Sequence, residues 1–190
     1  MRVGRVGNLA LAMLAAGLVA ACAPTGTSSS DSGPSSSATT GSADTVQTLD
    51  DLGRSHLAQG ATPPSYNSNP PTSGPHAPTV MAWGIHERLS PKEVLIHNME
   101  HGGIVVWYNC QGGQRPLTSA QCDTLRRDLG RVVQVALDAN KLVVMGPYPQ
   151  MNRRIALTAW TKIDSFDEFD VRRVARFIDT YERAFNPENF

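Results

Sequence analysis

The chain has no lysine- or arginine-rich run, no apolar stretch long enough to span a bilayer, few aromatics and only three cysteines. The first absence argues against nucleic acid as a partner and leaves no polybasic segment to hold anionic lipid. The longest apolar stretch, Leu9 to Ala21, falls short of the ~20 residues a spanning helix needs. The cysteines are too widely spaced for a CxxC zinc or dithiol motif. There is no internal repeat and no glycine-rich nucleotide cradle, and Ser73 lacks the context of a nucleophile elbow.

What is present begins with an export pattern: Arg2 and Arg5, the short apolar core, then small residues. Leu18-Val19-Ala20-Ala21-Cys22 resembles a bacterial lipoprotein box, which implies that residues 1–21 are removed and Cys22 carries the lipid. Residues 22–44 are Ser, Thr, Gly, Ala and Pro with scarcely a large apolar side chain. They cannot bury enough surface to offset their ordering entropy and read as a tether. Residues 45–190 suffice for one domain. Without the leader, 17 basic residues fall to 15 against 17 acidic ones, a formal charge of −2. The expectation is an extracytoplasmic protein anchored to a membrane by its N-terminal lipid. In that oxidising setting Cys110 and Cys122 are expected to form a disulfide.

Residues 50–78 carry too many prolines and glycines for regular elements. Ser90-Pro91-Lys92-Glu93 reads as a capping box with Pro at the first helical position, and Gly102-Gly103 as the end of that helix. Ile104 to Tyr108 reads as a buried strand. Thr118 or Ser119 opens a second helix with Leu125, Leu129, Val132, Val133, Ala136 and Leu137 on one face. Leu142–Met145 and Arg154–Thr161 read as two more strands. Ser165-Phe166-Asp167-Glu168 reads as the capping box of a last helix running to about Phe185. The order loop-α-β-α-β-β-α predicts an α+β fold, helices packed on a small mixed sheet, with a second half of thioredoxin-like topology.

All five histidines lie between His56 and His101. In His97-Asn98-Met99-Glu100-His101 the two imidazoles are one helical turn apart, close enough to share a metal ion, whereas on a strand they would be roughly 13 Å apart. Glu100 falls near the same face, positioned to orient a ligand or hold a proton. His-x-x-Glu-His is also the inverzincin order, two zinc ligands and a general base. Here Gly102-Gly103 stops the helix at once, and Glu168 or Asp170 would have to complete the site.

Tyr66-Asn67-Ser68-Asn69-Pro70-Pro71-Thr72-Ser73-Gly74-Pro75-His76, His97-Asn98-Met99-Glu100-His101-Gly102 and Leu157-Thr158-Ala159-Trp160 together resemble the bacterial domain of unknown function 3105, over about Gly53 to Pro187. The resemblance implies exported or membrane-attached proteins without an assigned activity, and includes a histidine where His56 stands. His86 occupies a position often aromatic in that family and is left out of the site.

Three functions are open to this set. A transition metal, Cu or Zn, held by His97, His101, His76 and His56 would make a binding or carrier domain. Three histidines plus water with Glu100 as the catalytic base would make a zinc-dependent hydrolase. With no metal, the histidines would staple the proline-rich loop to the helix of an interaction module. Phe166, Phe185 and the region around Trp83 are the aromatics available for a partner surface. No particular protein partner is indicated.

Overall fold

Alternation along one strand organises the molecule. In β3 (Ile104–Tyr108) all five residues are buried. Ile104, Val106 and Tyr108 join one apolar cluster, and Val105 and Trp107 join another. Successive strand side chains point to opposite faces, so β3 has core on both sides. The computed structural model describes residues 46–89 and 91–187. The leader, Cys22, the whole tether and Ser90 lie outside the described residues.

The sheet is mixed, with strand order β1-β6-β5-β3-β4-β2. The short edge strands are β1 (Gln47–Thr48) and β2 (Gly84–Ile85). β3 lies parallel to β4 (Val143–Pro147) and antiparallel to β5 (Ile155–Ala159). β5 turns at Trp160 and Thr161 into antiparallel β6 (Lys162–Phe166). The long helix α2 (Ser119–Asp138) connects the parallel pair, as such a pair requires. With α3 (Val171–Tyr181) it covers one face, through Leu125, Leu129, Val133, Val174 and Phe177. On the opposite face α1 (Lys92–Glu100) supplies Leu95, Ile96 and Met99.

The α+β class and the three helices follow the sequence reading, with adjusted boundaries. α1 has Pro91 as its N-cap, without a side-chain cap. It ends at Gly102 in the left-handed region, φ 82°, as expected of a glycine stop. Thr118 caps α2 in a full capping box with Gln121. The expected strand Arg154–Thr161 is shorter and continues as a hairpin, so Ser165 and Phe166 of the assigned last capping box belong to β6, and Asp167 and Glu168 to the bend after it. Asp170 caps α3 instead, accepting from the N–H groups of Arg172 and Arg173. β6 escapes pattern reading because buried Asp164 interrupts it. Arg173 of α3 compensates that charge with Nε–Oδ2 at 2.7 Å and Nη2–Oδ1 at 2.5 Å. No helix among the described residues is long and apolar enough to cross a membrane.

The aromatics proposed for a partner surface are engaged elsewhere. Phe166 is in the core, Trp83 and Phe185 pack against the α1 face, and Phe185 stacks on Trp160 at 5.0 Å. Cys110 and Cys122 are bonded, joining the end of β3 to the first turn of α2.

Candidate metal centre

Three segments converge on the outer side of α1. Near His56 the chain runs beside the proline-rich loop in a parallel bridge between His56 and His76. The His76 N–H donates to Ser55 O at 3.0 Å, Leu57 N–H to His76 O at 2.7 Å, and Gly74 N–H to Gly53 O at 3.1 Å. Gly74 has φ +114°, and a Cβ there would stand 3.2 Å from Leu52 Cβ and the Tyr66 ring. Only glycine takes this backbone conformation without strain. The Tyr66 hydroxyl donates to Pro75 O at 2.7 Å. The loop is tied to α1 by Ala77 N–H to Glu93 O, 3.1 Å, and by the Asn98 side chain, which accepts from Met81 N–H at 2.9 Å and donates to Met81 O at 2.8 Å. Sheet on one side and loop on the other explain why every residue from Leu95 to Glu100 is buried.

The rings of His56, His76 and His97 form a nearly equilateral triangle, with centroids 5.1, 4.9 and 5.0 Å apart. A tetrahedral ion about 2 Å from each ligating nitrogen places ring centres about 5 Å apart. Glu100 completes the group, and one ligand atom from each of the four lies within 4.8 Å of the others. Tetrahedral ligation needs edges of about 3.3 Å, so the donors must draw together. His56, exposed at the rim, is the ligand with room to move.

Hydrogen bonds choose which nitrogen is offered. His76 Nδ1 lies 2.8 Å from Gly74 O, and His97 Nδ1 lies 2.8 Å from Ala77 O. A carbonyl only accepts, so both Nδ1 atoms carry hydrogen, and a ring with no second proton presents its lone pair at Nε2. His76 Nε2 is 2.8 Å from Glu100 Oε2. That contact is an ion pair only if His76 is charged. Burial pushes its pKa below the ordinary histidine value, against the opposing pull of the Gly74 hydrogen bond and the Glu100 charge. A neutral His76 then turns a lone pair toward a carboxylate oxygen, and neither atom has a hydrogen-bond partner. Two buried acceptors in contact are satisfied by a shared proton, or by a cation that both can reach once they draw apart. The other carboxylate oxygen lies 3.5 Å from Arg54 Nη1.

Of the expected ligands, the structure groups His56, His76 and His97. His101 is the C-cap of α1. Its ring lies 4.5 Å from that of His97, but it is outside the four-residue group. Glu100 is the fourth member of that group. Positions three and four residues beyond His97 are both its helical neighbours, and the sequence alone did not favour the third. His86 is separate, with Nε2 2.8 Å from Ala82 O. Glu168 pairs with Arg154 and Asp170 caps α3, so neither completes an inverzincin-type site. Sequence reasoning missed Arg54 and the two carbonyls that fix the rings. The bridge that delivers Arg54 beside Glu100 has no local sequence signature.

A family model described as "Protein of unknown function (DUF3105)" matches residues 58–189. His76, His97, Glu100, His101 and both bonded cysteines fall inside the match, and His56 stands just ahead of it. No curated protein and no solved structure matches the chain.

Proposed function

This chain belongs to the DUF3105 family, and we propose that it binds a transition-metal ion, copper or zinc, through His56, His76, His97 and Glu100. The observation that carries this reading is the His76 Nε2–Glu100 Oε2 contact at 2.8 Å, beside imidazoles whose Nδ1 atoms are committed to backbone carbonyls. Such outer-sphere bonds fix tautomer and orientation at histidine metal sites. Imidazole-rich ligation suits both ions, and affinity order favours copper. Four protein donors fill a tetrahedral shell, so the site stores or hands over an ion. The hydrolase alternative needs Glu100 free to act as base, whereas its carboxylate lies among the donors. On this reading the domain works outside the cytoplasm, tethered through lipidated Cys22. The βαβ unit β3-α2-β4 followed by the β5-β6 hairpin and α3 supports a thioredoxin-like second half.

The test is metal content. The full chain, folded under oxidising conditions, is offered Cu(II) or Zn(II), dialysed and analysed for bound metal beside His97→Ala. Near-stoichiometric metal, lost in the variant, is the expected result. A folded wild type that retains none refutes the proposal and leaves a metal-free module in which the histidines hold the loop to α1.

A further inference from the structure

Three of the four donors are enclosed: His76 is 0 %, Glu100 2 % and His97 7 % exposed. The fourth, His56, is exposed. Its ring is held by contacts with His76 and His97, and no hydrogen bond among the described residues fixes it as Gly74 and Ala77 fix the other two. Two residues before it, Arg54 is half exposed and places Nη1 3.5 Å from Glu100 Oε1. In extended chain, residues two apart project to the same side. One short segment thus carries both the accessible ligand and a cation directed at the anionic ligand. It is attached to the loop by three backbone hydrogen bonds, from Gly74 to Gly53, His76 to Ser55 and Leu57 to His76.

We infer that residues 53–57 are the exchange flap of the site, through which the ion leaves to an incoming imidazole or thiolate donor. The inference rests on the metal-binding reading above. The incoming donor takes the place of His56, which leaves as a neutral imidazole. Zn(II) would keep its charge as it shifts to the incoming ligands, so no electron is transferred. As the ion moves away from Glu100, the Arg54 guanidinium becomes the counter-cation of the carboxylate. Arg54 therefore promotes release, and His56 controls entry of the incoming donor. His76 and His97, buried and oriented by carbonyls, determine whether the ion is held at all.

The experiment follows Zn(II) transfer from the loaded full chain to a chromophoric pyridylazo chelator. For wild type the rate rises with chelator concentration. His56→Ala, one ligand short, holds metal more weakly than wild type and delivers what it holds about tenfold faster, the change that about 1.4 kcal/mol of lost binding gives. Arg54→Gln, on an exposed side chain, loads normally and delivers several-fold more slowly. His97→Ala does not hold the ion. The inference is overturned if the wild-type rate is independent of chelator, if His56→Ala loses metal as fully as His97→Ala or transfers at the wild-type rate, or if Arg54→Gln transfers as fast as wild type. A wild type that holds no zinc refutes the metal-binding reading itself, and the flap with it.

Discussion

Glu100→Gln separates a metal centre from a buried ion pair, because the two predict opposite signs. Without metal, Glu100 Oε2 faces His76 Nε2 at 2.8 Å while His76 Nδ1 is committed to Gly74 O. An amide in the same place donates N–H to the Nε2 lone pair, replacing two opposed acceptors with an ordinary hydrogen bond. One such bond contributes about 1 kcal/mol net. Arg54 loses its partner, but its side chain is 48 % exposed, and an exposed pair contributes little. The metal-free variant should therefore be as stable as wild type or up to about 1 kcal/mol more stable, measured by urea unfolding in EDTA. Metal affinity moves the other way. Loss of the only anionic donor should weaken it by about a hundredfold, or about 2.7 kcal/mol, measured by competition titration. If His76 were a permanent imidazolium bound to Glu100, the same substitution would break a buried salt bridge at a cost of about 3–5 kcal/mol. A variant strongly destabilised in EDTA, with metal affinity unchanged in the titration, would refute the reasoning.

Gly74→Ala places a side chain at φ +114°, so it should cost about 1–3 kcal/mol and lower metal affinity through His76; calorimetry and metal titration would test both effects. Replacing Cys110 and Cys122 by serine opens the loop bridged at a separation of 12 residues. The expected loss is about 3 kcal/mol with metal stoichiometry unchanged, because the bridge lies apart from the four donors. Tyr66 is pushed up to about 12, chiefly by burial and then by the Glu93 charge. Since the unfolded phenol ionises near pH 10, the unfolded chain loses its proton first. This contribution to stability is full below about pH 10 and falls between there and about 12. Tyr66→Phe should flatten that alkaline decline in pH-resolved unfolding curves, at a cost of about 1 kcal/mol near neutrality for the lost bond to Pro75.

The helices were legible because their signals are local. Thr118 or Ser119 ahead of α2, the Leu125-Leu129-Val133 spacing and Gly102 after α1 are each contained within a turn or two. β3 was legible as an apolar run, and burial on both faces explains why it does not alternate. β6 was hidden because Asp164 looks like a loop residue until Arg173, from another element, sits beside it. The site divides in the same way. The helix periodicity of His97-Asn98-Met99-Glu100-His101 announced a cluster, and the rigid loop pointed to His76. Whether Glu100 or His101 joins the cluster depends on where His76 and Arg54 approach the helix. That is set by a bridge between residues 53–57 and 74–76, which has no periodic pattern.

The dependence of α1 on both its covers bears on the order of events during folding. The sheet side of the helix can form with its neighbours in the chain, but His56 and His76 arrive only when the long loop closes across the other side. Closing that loop costs entropy before its contacts compensate, so the four donors assemble late. If the proposed ion binds there, it would not nucleate the fold as it does in small zinc modules, which are unfolded until metal binds. Occupancy would instead report that the loop has closed correctly, and a chelator would empty the site while the sheet and helices stay folded.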